Sequence, residues 1–370
     1  MSANASKQSP FAWSLLLVFL GTAIHLVMGF STELSVDEAH YALYANHLAW
    51  SYFDHPPLVG WIQWPLVAIN APDGILRLIP ITLWIISCFL VYHIADQLDE
   101  YCTQRYLFIK APTPNNPSYA GLAAVAMIVF APLPHVLAVG LVPDSLLTPL
   151  SLGILWMSLQ WLKQDGQLSF NQWIGLGLLF GLAGLSKYTA ILYALAFAIA
   201  CLSVPRFAFL KQSGFYSAIA IALLLISPVL LWNAQYDWIS FKYQIDHGSG
   251  GDWLWRRLAA FLGLQIVVFG FLPLLGLWAY SRMGGFTKRP FVSILLVFFI
   301  LPFSVFAALS GGGGLPHWTS PAWFCLAPIA GVGLAQWWQS GKRWLITLCL
   351  AVQGTLVVSG LTLVMTAGYP

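Results

Sequence analysis

Apolar runs about as long as a bilayer is thick alternate with short polar segments along almost the whole chain. Because an α-helix needs roughly 20 apolar residues to cross a membrane, the pattern yields about eleven candidate spans. The predicted spans are residues 11–30, 75–95, 119–137, 144–162, 171–186, 188–204, 214–233, 257–280, 291–309, 318–338 and 344–366. We therefore predict an all-α, polytopic membrane protein.

Two regions affect the number of spans. Four prolines, at positions 132, 134, 143 and 149, interrupt the third and fourth candidates. The fifth and sixth run together, and one helix over 170–204 would be ~50 Å long at 1.5 Å per residue, which is too long for one crossing. We expect the chain to break near Ser186-Lys187-Tyr188.

The composition supports a membrane location. Hydrophobic residues make up 59% of the 370 residues and charged residues only 8%, whereas soluble domains carry roughly 25% charged residues. The apolar run from Phe11 to Phe30 is longer than the core of a cleaved signal, so we interpret it as an uncleaved first helix. We expect one transmembrane domain over 1–370, with no separate soluble C-terminal domain and no nucleic-acid partner.

The charges predict an orientation. With the N-terminus inside, eleven of the 16 Lys and Arg residues fall on the inner side and five on the outer side, which obeys the positive-inside rule. Nine of the 13 acids fall outside. We expect a cytoplasmic N-terminus and a working face on the outer side, and the family resemblance described below implies that the membrane is the bacterial inner membrane and the outer side is periplasmic.

The longest polar stretch, residues 31–74, follows the first span. Ser35 and Glu38 have the spacing of a capping box, which predicts the start of a helix. This helix would place Asp37, Tyr41, Tyr44 and Leu48 on one face and His40, Tyr44 and His47 on an adjacent face. Pro56-Pro57 would end this element, and residues 58–69 predict a second short helix whose tryptophans suit the membrane interface.

Several polar residues have both a structural and a functional interpretation. In the structural interpretation, Glu38 completes the capping box and has no further role, Asp37 stabilises the helix N-terminus through the helix dipole, and Asp54-His55 forms a turn. Lys187 is an ionisable residue in an apolar stretch, which indicates function, although it can also snorkel to the interface. Asp144 can cap its helix, and the Arg256-Arg257 pair can anchor the eighth span.

The loop resembles a known family. DEAHYALYANHLAWSYFDHPPLVGW is similar to the first external loop of polyprenyl-phosphate-dependent glycosyltransferases of the GT-C fold. The resemblance is to the bacterial branch with the aminoarabinose and galacturonic acid transferases of lipid A, related to the protein O-mannosyltransferases. Weaker agreement comes from PDSLL, LSKYTA, WNAQYDWISFKYQIDHG and LPHWTSPAW, and His55 stands where many relatives have Lys.

The resemblance implies transfer of a sugar from undecaprenyl phosphate to lipid A, a glycan or another envelope acceptor, by a single inverting displacement. It implies Asp37 as the general base, with Glu38 as the second catalytic acid. The leaving phosphate needs positive charge and hydrogen-bond donors nearby. The candidates for donor and phosphate binding are Lys187, Tyr188, His55, Asp54, Tyr41, Arg256 and Arg257, and further candidates are His40, Asp144, His247 and His317.

A divalent cation (Mg, Mn or Zn) is a further expectation for this loop. Asp37, Glu38, Asp54 and His55 supply oxygen and imidazole ligands that suit such ions. Their spacing matches no recognised metal motif, so the residue types alone carry this expectation.

Two other functions fit a chain of this kind. A transporter or flippase of a lipid-linked sugar would place ionisable residues at the membrane midplane, often in repeated halves. Here these residues gather at the outer ends of the spans and no repeat is visible. An O-antigen ligase or polymerase would have its main loop late in the chain. The enzyme of the GT-C type is therefore the favoured hypothesis, and the sequence names neither the sugar nor the acceptor.

Overall fold

The computed structural model describes residues 9–106, 118–203, 209–249, 252–282 and 290–367, and within these ranges it is helical without strands. The first helices are α1 (Pro10–Ser31), α2 (Val36–Asn46), α3 (Leu58–Ala68), α4 (Asp73–Leu76), α5 (Leu78–Tyr106), α6 (Ala120–Val129), α7 (Pro132–Val139), α8 (Pro143–Lys163) and α9 (Phe170–Ser186). The remaining helices are α10 (Ile191–Leu202), α11 (Ser213–Gln235), α12 (Ile239–Ser249), α13 (Trp255–Phe269), α14 (Leu272–Arg282), α15 (Pro290–Leu295), α16 (Val297–Gly313), α17 (Ser320–Gln339) and α18 (Arg343–Ala367).

Six helices in the described ranges are long and apolar enough to cross a membrane, and the number rises to eight if each of two bent pairs is one span. The all-α, polytopic architecture predicted from the sequence is confirmed. The predicted spans 171–186 and 188–204 correspond to the shorter apolar helices α9 and α10. The figure of about eleven crossings therefore stays a prediction.

Two predicted spans are not continuous helices, which corrects the sequence-based ranges 119–137 and 257–280. The pair α6 and α7 is bent by 73°, and the pair α13 and α14 by 90°. At the first break Pro132 begins the new helix, because proline fits the first helical position but not a helix interior. At the second break Gly270 has φ +79°, a left-handed conformation that glycine adopts without strain.

One side chain joins both breaks. The Gln353 amide of α18 donates to the Phe130 carbonyl at 3.1 Å and accepts from the Leu272 amide at 3.2 Å. These backbone groups flank the two breaks, and inside a membrane protein such groups need a partner. A Cβ atom at Gly270 would overlap the Gln353 side chain, so glycine is also required for this close approach.

The break predicted near Ser186-Lys187-Tyr188 is confirmed. Helix α9 ends at Ser186, Lys187 is extended (φ −157°, ψ 140°), and a short 3₁₀ turn over Tyr188–Ala190 leads into α10. The extended conformation of Lys187 ends the hydrogen-bond pattern of α9 and directs its side chain into the bundle, where Lys187 is 5% exposed.

The core of the bundle is formed by α8 and α17, which are buried on almost all sides. Outer helices such as α11 and α18 instead expose large apolar side chains, as a surface in contact with lipid does. The N-terminal end of α8, the C-terminal end of α9 and the 3₁₀ turn Pro316–Thr319 before α17 meet at the end of the bundle next to residues 31–74. This meeting point is where the polar side chains gather.

Candidate active site

Helix α2 begins with the capping box that the sequence predicts. The Ser35 hydroxyl accepts from the Glu38 amide at 3.3 Å, and the Glu38 carboxylate accepts from the Ser35 amide at 2.9 Å. The helix runs to Asn46, and α3 follows after Pro56-Pro57, so both predicted short helices are present. Their position in the membrane interface stays a prediction.

Glu38 has a second partner that the sequence did not reveal. The Arg77 guanidinium donates from Nε to Glu38 Oε1 at 2.8 Å and from Nη2 to Oε2 at 3.0 Å. Glu38 is 4% exposed and Arg77 is 1% exposed. In the sequence Arg77 is a single cation just before an apolar span, and this position does not distinguish a buried ion-pair partner from an interface anchor. The structure thus places Glu38 in a buried ion pair beside its capping bonds.

Asp37 lies on the exposed side of the same helical turn. Burial, together with the negative charges of Asp54, Asp37 and Asp144, raises the pKa of Tyr41. Burial lowers the pKa of His317, and the charges of Asp144 and Asp37 act in the opposite direction. Asp37 is therefore open to solvent and close enough to Tyr41 and His317 for its charge to act on both.

A hydrogen-bond network connects α2 to the segment before Pro56. Asp54 is buried and accepts from Tyr44 Oη and from His40 Nε2, the latter at 3.1 Å. The His40 and Tyr44 side chains also bond each other at 3.0 Å, as expected for neighbours on one helix face. Gln244 of α12 donates to the Asp54 backbone carbonyl. Asp54 is thus a buried acceptor that ties two chain segments together, which goes beyond a local turn.

The second charge pair joins the ends of α8 and α9. The Lys187 ammonium donates to Asp144 Oδ2 at 2.6 Å, and both residues are buried. His317 Nε2 lies 3.7 Å from the same carboxylate oxygen, and the Trp318 ring centroid is 6.0 Å from Lys187 Nζ. The other oxygen, Asp144 Oδ1, is buried without a hydrogen-bond partner in the described chain. Asp144 therefore makes no capping bond to α8, whose N-cap is Val142, and the structural interpretation of Asp144 as a cap is wrong.

His55 lies between the Asp54 hydrogen-bond network and the Lys187–Asp144 pair. Its ring is 5.7 Å from the Tyr41 ring, and burial together with the charge of Lys187 lowers the pKa of His55 to about 4, against the opposing effect of Asp54 and Asp144. Its Nδ1 atom is buried and has no partner among the described atoms. The structure thus brings His55 into the same electrostatic environment as the Lys187–Asp144 pair.

The other candidates lie around this centre. Tyr188 Oη bonds Ser51 Oγ at 3.1 Å and lies 3.4 Å from Asn233 Nδ2. Arg256 and Arg257 are exposed, and Arg257 donates at 3.2 Å to the Asp252 and Gly312 carbonyls, with no ion pair to the Asp144 carboxylate in the described part of the chain. His247 belongs to α12, but its side chain lies outside the described residues.

The fold of this chain matches that of solved membrane proteins. Over 88% of this chain and 60% of the relative, the structure superposes on the crystal structure of ArnT from Cupriavidus metallidurans in the apo state, with a TM-score of 0.61 and 18% identity. The undecaprenyl phosphate-bound form of ArnT gives a TM-score of 0.59 at 19% identity, with the same coverage. The chain has the GT-C fold. It spans 60% of the length of these solved relatives.

Sequence comparisons support this GT-C assignment. Residues 106–232 match the family model of the dolichyl-phosphate-mannose-protein mannosyltransferases. The lipid A galacturonosyltransferase RgtD of Rhizobium johnstonii is 25% identical over 347 residues, which is 90% of this chain and 68% of RgtD. The resemblance predicted from the loop after α1 is therefore confirmed, and these relatives are glycosyltransferases.

The expected metal ligands do not converge within the GT-C fold. No group of three or more His, Cys, Asp or Glu side chains in the described ranges is placed to hold a metal ion. Glu38 is bound by Arg77, and Asp54 accepts from His40 and Tyr44. The four-residue arrangement of Asp37, Glu38, Asp54 and His55 does not fit a cation in this conformation, so no step below is assigned to one. A metal requirement stays an untested prediction.

The half-buried imidazole of His55, whose Nδ1 atom is fully buried, predicts a pH dependence of stability. In the folded protein its pKa is about 4, compared with 6.5 in the unfolded chain, because burial and Lys187 disfavour the protonated ring. The unfolded chain therefore binds more protons below 6.5, and stability present above 6.5 is lost as the pH falls toward 4. We expect the thermal unfolding midpoint in detergent to fall less over this range in His55→Gln than in the wild type. Parallel curves for the two proteins would contradict the assignment to His55.

Proposed function

We propose that this protein is an integral membrane glycosyltransferase. It transfers a sugar from a polyprenyl phosphate, such as undecaprenyl phosphate, to lipid A or another envelope acceptor, with Asp37 as general base. One observation carries the proposal: an exposed acid and a buried cation belong to the same end of the bundle. Lys187 binds Asp144 Oδ2 at 2.6 Å, His317 lies 3.7 Å from the same oxygen, and the charge of the exposed Asp37 acts on the His317 ring. A base for the acceptor and a cation for the leaving phosphate are the two groups that the reaction needs.

The chemistry is a single displacement. The Asp37 carboxylate accepts the proton of the acceptor hydroxyl while the hydroxyl oxygen attacks C1 of the sugar. The bond between C1 and the phosphate oxygen breaks, and the polyprenyl phosphate leaves with the bonding electrons. Charge then accumulates on the phosphate, where the Lys187 ammonium stabilises it. The configuration at C1 inverts, and no covalent intermediate with the protein is formed.

The neutral histidines near Lys187 suit the same phosphate. Burial lowers the pKa of both His55 and His317, which favours the uncharged form of both rings. A neutral imidazole still donates one N–H, and an oxyanion accepts such bonds readily. Lys187 therefore supplies the charge, while His55 and His317 supply hydrogen bonds that help to orient the donor.

The relatives support the choice of donor and acceptor. RgtD is named as a lipid A galacturonosyltransferase, and one of the ArnT structures contains undecaprenyl phosphate. We infer a polyprenyl phosphate donor and a lipid acceptor for this chain by analogy with them. The ionisable residues at one end of the helices favour this enzyme over a transporter of lipid-linked sugars, which needs them at the midplane.

An apolar groove beside Lys187 is suited to the hydrocarbon chain of the donor. The groove has a volume of about 660 Å³ and lies between α9, α10 and α11. Tyr188, the neighbour of Lys187, lines it together with Phe241, whose ring lies 4.9 Å from the Tyr188 ring. A lipid with its phosphate at Lys187 can therefore place its chain in the groove.

A bulky residue in the groove is expected to impair long donors selectively. Ala222 lines the groove on α11, and Ala222→Trp would occupy the space of several methylene groups. We expect kcat/KM to fall about tenfold for a long polyprenyl donor, which corresponds to ~1.4 kcal/mol of lost binding. A short-chain donor should be affected little.

The control for this variant is on the same helix. Leu224 is 72% exposed and does not line the groove, so Leu224→Trp should leave both donors unaffected. Equal losses for long and short donors in Ala222→Trp would show that the groove does not hold the chain.

We further propose the topology on which the reaction depends: about eleven crossings, with two interfacial helices in the loop after α1. The N-terminus is cytoplasmic and the active site lies on the periplasmic side of the bacterial inner membrane. The support is the distribution of cations, since Lys163, Arg282 and Arg343 lie at helix ends away from the Asp144–Lys187 pair. Cysteine labelling from outside intact cells at Asp73 and at Lys342 would test this orientation.

The direct experiment is a transfer assay with the purified protein. Radiolabelled polyprenyl phosphate sugars are incubated with lipid A acceptors, and we expect label to move to the lipid A. A panel of pentose, hexose and uronic acid donors would identify the sugar. If no polyprenyl donor were used with any acceptor, the proposed function would be wrong.

A further inference from the structure

Arg77 binds three elements that surround the first turn of α2. Besides the two bonds to Glu38, its Nη1 donates to the Gly29 carbonyl at 3.0 Å and to the Thr32 carbonyl and hydroxyl at 2.6 and 2.9 Å. Its Nη2 donates to the Glu33 carbonyl at 2.7 Å. One guanidinium ahead of α5 therefore holds the last turn of α1, the linker after it and the start of α2. We call this arrangement the Arg77 clamp.

The neighbouring Asp37 has no comparable support of its own. No side-chain hydrogen bond or ion pair to its carboxylate is present in the described part of the chain, and the residue is exposed. Its place is therefore set by the backbone of the first turn of α2, next to Glu38. Glu38 is held by Arg77 in addition to its capping bonds with Ser35, so the clamp ties the turn that carries Asp37 to α1 and to the residues before α5.

Stability alone does not account for such a clamp. Desolvation of two charges offsets most of the attraction in a buried ion pair, and apolar replacements of similar volume are often as stable. Placement is a different matter, because misplacing a catalytic group by about 1 Å can cost about 10²-fold in rate. The planar guanidinium of Arg77 is a buried fork of N–H donors with fixed directions, and such a group is suited to holding one helix turn in place.

We propose that Arg77 and Glu38 are positioning residues that hold the Asp37 carboxylate in place for proton transfer, acting through the first turn of α2. The inference rests on the proposed role of Asp37 as the base. It assigns to the second acid of the loop a task distinct from proton transfer, metal binding or phosphate binding.

Two substitutions separate the clamp from the cap. Glu38→Gln keeps a side chain that can complete the capping box but removes the charge that Arg77 binds. Ser35→Ala removes the capping side chain and leaves the ion pair in place. We expect Glu38→Gln to lower kcat about 10²-fold with a donor KM near the wild-type value, and Ser35→Ala to keep kcat close to wild type.

A general loss of stability is controlled by a distant variant. Gln353→Leu removes the bonds at the two helix breaks and should lower the unfolding midpoint without touching α2. The two variants are compared at temperatures equally far below their unfolding midpoints. If Gln353→Leu then loses as much kcat as Glu38→Gln, the effect comes from stability and the proposal is overturned.

The decisive measurement is the double variant Asp37→Asn/Glu38→Gln. If Glu38 acts only through Asp37, the double variant should be no slower than Asp37→Asn. Multiplied losses would mean that Glu38 acts independently, and the positioning role would be wrong.

Hydrogen exchange tests the clamp without turnover. Arg77→Lys keeps the charge but not the fork, so exchange of the amides of residues 36–40 should rise while that of α12 stays unchanged. A wild type without transferase activity would refute the proposed function, whereas unchanged exchange in Arg77→Lys would refute the clamp.

Discussion

Asp37→Asn is expected to reduce sugar transfer by about 10²- to 10⁴-fold, the range that removal of a general base produces. The amide has the shape of the carboxylate but cannot take the proton of the acceptor hydroxyl. Because Asp37 is exposed, the fold should be unaffected, and expression and the unfolding midpoint should match the wild type. The measurement is single-turnover transfer of labelled sugar with saturating donor.

The matched control for this variant is Asp73→Asn. Asp73 is also an exposed acid in the first turn of a helix, and it belongs to the same loop. It should retain wild-type turnover, because its charge does not act on Tyr41 or His317. Donor binding should persist in Asp37→Asn, since the phosphate group is assigned to Lys187. Near-normal transfer by Asp37→Asn would remove Asp37 from the role of base.

The sequence was sufficient for features that depend on neighbouring residues. The capping box of Ser35 and Glu38 marks the start of α2 because both partners lie within one turn. The break after Ser186 followed from length, since no helix of ~50 Å is needed to cross a bilayer. The family resemblance identified the loop of residues 31–74 because the motif that carries the resemblance is one continuous segment of the chain.

Features that join distant segments were not predictable in this way. Arg77 meets Glu38 across 39 positions, and Lys187 meets Asp144 across 43. Their pairing depends on how α1, α5, α8 and α9 pack, and no local pattern encodes that. The 90° bend at Gly270 was also missed, because a single glycine in an apolar run does not show that Gln353 will approach it.

The Lys187–Asp144 pair combines structural and functional roles, and its substitution must separate them. Removing Lys187 alone leaves the Asp144 carboxylate buried without its cation, which commonly costs 3–5 kcal/mol. A loss of activity in Lys187→Met would therefore be ambiguous. Asp144→Asn/Lys187→Met removes both charges at nearly constant volume, and buried ion pairs replaced in this manner often retain stability.

We expect Lys187→Met to lose both stability and donor binding, and the double variant to regain the unfolding midpoint but not donor binding. The reason is that Asp144 needs Lys187 only as a partner, whereas the leaving phosphate needs its positive charge. Binding of a fluorescent polyprenyl phosphate and unfolding, measured on the same samples, would separate the two effects. Recovery of donor affinity in the double variant would show that Lys187 is there for Asp144 and that the phosphate binds elsewhere, with Arg256 and Arg257 as the next cations to test.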